Sequence, residues 1–243
     1  MTFVRSVLYL LFFVLFSAVM FIAVLPVLLM PRMVTVKASQ IWSRVMFWGL
    51  RVIAGCRYEV RGTIPAGPLL FAAKHMSMWD TLALFALIDD VCIVVKRELL
   101  SIPFYGWYIK KAGVIAVDRT AGASALRRMA GEAKAVFAAG RPVAIFPEGT
   151  RKKPGAAPDY KPGVAGLYAQ LGVPCVPVAL NSGQFWTGFI KRPGTIVIHF
   201  LPPIPAGLKR AAFMRDLEQA IETTTGRLVA EGALFGEDHA CCH

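Results

Sequence analysis

Carboxylates are scarce in this chain. It carries 15 Asp and Glu against 27 Lys and Arg, giving a formal charge of +12 over 243 residues. Only 17% of residues are charged and 56% are hydrophobic. A nucleic-acid binder could be this basic but is rarely this apolar. The basic residues are also not interleaved with aromatics on a soluble face, so nucleic acid is excluded as a partner. Basic and greasy together point to a membrane surface and to anionic substrates. Cysteine is sparse too, at positions 56, 92, 175, 241 and 242. Those spacings fit neither a metal site nor a disulfide framework. Cys56, Cys92 and Cys175 lie in apolar segments and read as buried thiols. Cys241 and Cys242, flanked by His239 and His243, read as a frayed tail rather than a lipidated or metal-binding one. No internal repeat and no low-complexity linker marks a repeat architecture or a loose join.

What the chain does have begins with Val7–Met30, a run without charge. As a helix it would reach ~36 Å, enough to cross a hydrocarbon core, with Pro26 kinking or shortening it. A signal peptide is the competing reading, but no small-x-small cleavage site follows, so a retained anchor is expected. Positive charge is sparse before the run and dense after it (Arg32, Lys37, Arg44, Arg51, Arg57, Arg61), which places the body on the cytoplasmic side of the membrane. Lys37, Arg44 and Arg51 recur every seven residues and form one stripe of a second helix, about 37–54, that either lies in the interface or completes a membrane hairpin. Residues 1–55 are thus expected to attach to membrane lipids, by a true span or by dipping into one leaflet. Residues 56–235 are expected to form an α/β body, and 236–243 a flexible tail.

Beyond Tyr58 short apolar runs alternate with helical patterns. Strands are expected at Arg57–Arg61, Leu69–Ala73, Val91–Val95, Gly113–Val117, Pro142–Phe146, Cys175–Leu180 and Thr195–Leu201. Amphipathic helices are expected at Ala121–Ala139 and at about Leu208–Leu228. This alternation predicts an α/β fold with a mixed, largely parallel central sheet flanked by helices, following an N-terminal helical attachment. Ligands of such folds bind at the carboxyl ends of the strands.

Four stretches sit at such ends. Lys74-His75-Met76-Ser77-Met78-Trp79-Asp80 follows a strand and enters a helix. His75 and Asp80 can meet there if the chain turns between them, a carboxylate then fixing the imidazole's tautomer and aim. Ser77 and Asp80 also have capping-box spacing, which would explain both without chemistry. Gly113–Arg119 ends in Asp118-Arg119, where Arg119 could grip a phosphate or sit in a surface salt bridge. Phe146-Pro147-Glu148-Gly149-Thr150-Arg151 gathers a carboxylate, a permissive glycine whose N–H could face an anion, a hydroxyl and a guanidinium. The alternative is a plain turn; Lys152, Lys153 and Lys161 read as its solvated basic rim. Val173–Leu180 holds Pro174 and Pro177, suggesting an edge strand or strand start that shapes a pocket wall.

These four stretches, in this order, resemble the four sequence blocks of the glycerolipid acyltransferase family typified by bacterial 1-acyl-sn-glycerol-3-phosphate acyltransferases. The resemblance covers roughly residues 55–205, and the Phe-Pro-Glu-Gly-Thr-Arg block is the most specific part. It implies transfer of an acyl group from acyl-CoA or acyl carrier protein to the free hydroxyl of lysophosphatidic acid, giving phosphatidic acid. His75 would be the general base and Asp80 its support. Arg119, Glu148, Gly149, Thr150 and Arg151 would bind the acceptor, the arginines on its phosphate. The resemblance implies no metal and no organic cofactor, because a thioester is already activated. Lys74 departs from the asparagine that many members carry before the histidine, which leaves its role open. Other acceptors (glycerol 3-phosphate, a lysophospholipid, a lyso-amino-acid lipid), a hydrolase, and an inactive lipid-binding protein are the competing readings.

Overall fold

A computed structural model describes residues 1–118 and 122–237. Arg119 and the end of the tail, including Cys241 and Cys242, lie outside the described residues.

Two long helices come first, α1 (Thr2–Ala23) and α2 (Arg32–Ala54). Pro26 sits at the start of a short 3₁₀ turn, Leu25–Leu29, so α1 stops there instead of running on to Met30. The two helices pack on each other. Trp42 Nε1 donates to Ser17 Oγ at 3.1 Å and Tyr9 Oη donates to the Met46 carbonyl at 3.3 Å. Gly49 allows the close approach, because a Cβ there would lie 2.2 Å from the Phe12 ring. The pair also belongs to the α/β body's own core. Tyr9, Trp42, Met46, Phe47 and Leu50 share one apolar cluster with Phe71, Trp79 and Ile196.

The sheet has seven strands: β1 (Cys56–Arg61), β2 (Leu70–Ala73), β3 (Cys92–Lys96), β4 (Ile115–Val117), β5 (Val143–Ile145), β6 (Cys175–Leu180) and, past a small hairpin of β7 (Trp186–Thr187) and β8 (Ile190–Lys191), β9 (Gly194–Phe200). Their order is β1-β9-β6-β2-β5-β3-β4. All neighbouring pairs are parallel except β6 with β9, so the sheet is mixed and largely parallel, as the alternation predicts. The helices between strands are α3 (Met78–Leu87), α4 (Tyr105–Ala112), α5 (Gly122–Ala138) and α6 (Gly163–Leu171); α7 (Arg210–Glu237) follows β9. The predicted apolar stripe of α7 is real: Phe213, Leu217, Ile221 and Leu228 are all fully buried.

Of the two readings of the proline strand, the strand start holds and the edge does not: β6 begins directly after Pro174 but lies inside the sheet, between β9 and β2. Pro177 fits there because its missing N–H falls at an interruption in the β6–β9 ladder. That ladder pairs Val178 with Phe200 and resumes only as a bridge between Cys175 and Ile204. Three residues, Leu201–Pro203, therefore bow out opposite two, and the Leu201 N–H donates to the Pro177 carbonyl at 2.9 Å.

Both ends of α1 are tied to the α/β body. Near its start, the Lys191 N–H on β8 donates to Ser6 Oγ at 2.9 Å. Near its end, Tyr108 Oη of α4 donates to the Phe21 carbonyl at 2.7 Å. The start of α2 is fixed by Arg32, whose Nη2 donates to Asp90 Oδ2 at 2.7 Å, and Arg141 lies 3.2 Å from the same carboxylate. Burial alone would raise the Asp90 carboxyl, but the two guanidiniums outweigh it and hold it below its ordinary value.

Candidate active site

The strand order explains why chain-distant blocks meet. β2 lies between β5 and β6 and is parallel to both. The segments leaving the carboxyl ends of these three strands therefore emerge side by side. They carry His75, the 146–152 loop, and Ser182.

β2 ends at Ala73, and the chain turns through His75 before α3 begins behind the N-cap Ser77. Asp80, at the third helical position, is fully buried. Its Oδ2 lies 3.0 Å from His75 Nδ1 and accepts the N–H groups of Met76 at 2.6 Å and Ser77 at 2.8 Å. Its Oδ1 accepts the hydroxyls of Ser77 at 3.2 Å and Ser182 at 2.5 Å. The capping box and the His–Asp pair are thus one arrangement rather than alternatives. The same carboxylate caps the helix and faces the imidazole. An ionised carboxylate only accepts, so His75 Nδ1 must donate to it, and Nε2 is left with its lone pair free. The His75 side chain keeps 13% exposure, so the imidazole is not fully sealed off.

The Phe146–Arg151 block wraps around this histidine. The Phe146 ring stacks on the imidazole, with centroids 3.9 Å apart and planes 20° from parallel. The Lys152 N–H donates to the His75 carbonyl at 2.8 Å. Gly149 turns the loop at φ +64, and its N–H donates to the Phe146 carbonyl at 2.9 Å, so it serves the turn and does not face an anion. Thr150 and Arg151 are exposed. The charge of Arg151 reaches Tyr105 of α4, whose hydroxyl burial raises and Arg151 lowers.

Glu148 turns inward. It is 1% exposed, and its Oε1 accepts from Lys74 Nζ at 2.9 Å. Lys74, 2% exposed, donates a second bond to Glu222 Oε1 on α7 at 2.8 Å, and Tyr160 Oη donates to that same oxygen at 2.9 Å. Glu148 Oε2 is buried with no hydrogen-bond partner among the described residues. Burial pushes the Glu148 carboxyl above the ordinary glutamate value. Lys74 and the His75 backbone amide pull it down, while Glu222 pushes it further up.

Of the residues expected in the site, His75, Asp80, Glu148 and Gly149 come together, with Thr150 and Arg151 on the exposed side of the same loop. Arg119 follows β4, two strands beyond β5, and lies outside the described residues. Sequence reasoning missed Ser182, Tyr160 and Glu222, and gave Lys74 no role. The only signal among these was Lys74, a lysine in an otherwise apolar strand end.

The arrangement is a buried carboxylate, an aimed imidazole with one free nitrogen, and a loop of donors and cations beside it. It can take a proton from a hydroxyl whose oxygen then attacks an acyl carbon. Residues 56–181 match the model of the acyltransferase family, and the chain belongs to that family. It is similar to the 1-acyl-sn-glycerol-3-phosphate acyltransferase of Pseudomonas aeruginosa, with 35% identity over 79% of this chain and 76% of that one. The human 1-acyl-sn-glycerol-3-phosphate acyltransferase alpha is 32% identical over 67% of this chain and 60% of its own length. A lyso-ornithine lipid O-acyltransferase of Pseudomonas aeruginosa is 28% identical over 72% of this chain and 75% of that one. The crystal structure of the 1-acyl-sn-glycerophosphate acyltransferase of Thermotoga maritima superimposes with a TM-score of 0.78 over 94% of this chain and 98% of that one, at 21% identity, which shows a shared fold.

Proposed function

We propose that this chain transfers a fatty acyl group from an acyl thioester to the free hydroxyl of 1-acyl-sn-glycerol 3-phosphate, forming phosphatidic acid. The observation that carries it is the His75 Nδ1 to Asp80 Oδ2 contact of 3.0 Å, in a chain of the acyltransferase family. His75 Nε2 takes the acceptor's hydroxyl proton as the oxygen attacks the thioester carbonyl. The tetrahedral intermediate collapses, the C–S bond breaks, and the protonated imidazole returns its proton to the leaving thiolate. Asp80 holds the imidazole in one tautomer and supports its charge in between. Arg151, with Arg119, takes the acceptor's phosphate. A donor that is acyl-CoA and one that is acyl carrier protein are both anionic, and both suit a +12 chain.

The same reading holds the protein at a membrane surface, with the catalytic body on the cytoplasmic side. α1 is long and apolar enough to cross a bilayer. Both its ends contact the α/β body, however, and a helix crossing ~30 Å of hydrocarbon cannot keep both ends on one water-exposed body. Its outward apolar face (Phe3, Leu11, Val14, Leu15, Val19) therefore dips into one leaflet, and the exposed Lys37, Arg44 and Arg51 of α2 meet anionic head groups.

Thiol release from a long-chain acyl-CoA, and then from an acyl carrier protein, with and without lysophosphatidic acid, tests the reaction. Release that needs the acceptor and falls by ~10² or more in His75→Ala supports it. Acceptor-independent release points instead to a hydrolase. Because a lyso-ornithine lipid enzyme is among the relatives, the acceptor panel includes a phosphate-free lyso-amino-acid lipid. Preference for that lipid would overturn the phosphate assignment while keeping the base.

A further inference from the structure

The buried ion network beside the base is not needed to deprotonate a hydroxyl, yet it ties three chain-distant pieces together. Lys74 directly precedes His75, Glu148 sits in the loop that stacks on His75, and Glu222 belongs to α7. Glu222 lies well outside the 56–181 family match. A lysine with 2% exposure requires carboxylate partners to stay charged at tolerable cost, and it has two. The geometry is also asymmetric. Glu148 has one oxygen on Lys74 and one bare, so the ammonium is the one side-chain donor holding it among the described residues. Around the pair stand Tyr160 from the loop before α6, Glu222 from α7 and the His75 backbone.

We propose that Lys74 and Glu222 are positioning residues for acyl transfer, the Lys74 ammonium clamping the Glu148 loop over His75 and tying that loop to the C-terminal helix. The inference rests on His75 being the base. Without the ammonium, the buried Glu148 is left uncompensated beside the partly exposed Glu222 carboxylate. The loop then loses its inward tie, and with it the seat of Phe146 on the imidazole and the aim of Arg151. With Lys74 in place, Glu222 fixes the angle of its Nζ toward Glu148, and Tyr160 fixes Glu222. A lysine at position 74 therefore needs a carboxylate at position 222, which would couple two positions that lie 148 residues apart in sequence.

The test compares Lys74→Met, Glu222→Gln and their double variant in the full-length protein in detergent, with kcat, both KM values and thermal unfolding measured. Lys74→Met is expected to lower kcat by about tenfold or more and raise the acceptor KM several-fold, while the acyl-donor KM stays within about twofold. Lost folded protein alone would lower the apparent kcat and move neither KM. Glu222→Gln is expected to show the same pattern more weakly. The double variant should be no worse than Lys74→Met, since removing one unpaired carboxylate offsets part of the damage. Losses that multiply, or an unchanged acceptor KM in both single variants, overturn the proposal. If Lys74→Met does not fold, Glu222→Gln and Tyr160→Phe decide by the same KM criterion. His75→Ala is run beside them. An active His75→Ala sinks the base assignment itself, whereas a dead His75→Ala with parent-like Lys74 and Glu222 variants sinks only the clamp.

Discussion

Two buried carboxylates flank His75, and they are held in opposite ways. Asp80 is saturated. Two backbone N–H groups, two hydroxyls and the imidazole share its oxygens, and most of those donors come from the five-residue turn it closes. Glu148 is under-satisfied. One ammonium makes its one side-chain hydrogen bond among the described residues, the His75 backbone amide adds a further pull, the second oxygen has no hydrogen-bond partner among them, and burial raises the carboxyl above the ordinary value. The first arrangement is local and rigid and suits a group that must hold an imidazole still. The second depends on elements far apart in the chain and can be re-set by changing one of them. A fixed aim on one side of the base and an adjustable loop on the other is a division of labour that mutations can separate.

The largest effect should come from the base. His75→Ala removes the free Nε2 while leaving Asp80 its backbone and hydroxyl donors, so the fold should survive. A loss of ~10²–10⁴ in kcat is expected, with thermal unfolding near that of the parent. Asp80→Ala strikes the saturated side. The Met76 and Ser77 N–H groups lose their acceptor, α3 loses half its capping box, and His75 loses its tautomer lock. Activity should fall by a comparable factor, and here stability should fall too, by about 1–3 kcal/mol. If Asp80→Ala were as stable as the parent, the carboxylate's helix-capping role would be wrong.

That both roles fall on one residue explains why so much of this side was legible in the sequence. Ser77, Asp80 and His75 lie within six positions, and capping spacing is a local rule. The strands were legible for a similar reason. Leu69–Ala73 and Cys175–Leu180 are apolar runs too short for helices. The strand boundaries missed by at most one residue except at Gly113, where two residues precede β4. The other side of the histidine was not legible. Glu222 reaches Lys74 across 148 positions and Ser182 reaches Asp80 across 102, and no spacing rule encodes which strand will lie beside which. The interior place of the proline strand was illegible for the same reason, because a gap in the partner's ladder let Pro177 sit in the sheet interior. α4 was missed as well; it is only eight residues long and starts after Phe104, a non-glycine residue at φ +61.

Ser182→Ala gives a smaller, more diagnostic effect. It removes one of several donors on Asp80, a hydroxyl supplied from the end of β6. On a saturated carboxylate that loss should cost about 0.5–1.5 kcal/mol of stability and only a few-fold in kcat. A loss as large as that of Asp80→Ala would show that the carboxylate is not saturated at all, and that the long-range Ser182 contact carries it. The contrast between the two sides of His75 would then collapse.

The smallest signal is a slope, and it belongs to the under-satisfied side. Glu148 has its folded carboxyl raised, first by burial and then by Glu222, against the pull of Lys74. As pH rises from the ordinary glutamate value toward the raised one, the unfolded chain gives up its proton first. The native state then binds more protons than the unfolded state. Whatever stability Glu148 contributes is therefore full below the ordinary value and is lost as pH rises through the raised one. Glu148→Gln cannot titrate, so the parent-minus-variant difference in unfolding free energy should fall with pH across that window, by no more than about 1.4 kcal/mol per pH unit. Denaturation in detergent at a series of pH values reads this difference directly. A difference that instead grows with pH would mean that Lys74 outweighs burial and holds the Glu148 carboxyl down. The two carboxylates beside His75 would then be held alike, and Lys74 would act as a full counter-ion for Glu148 rather than a partial one.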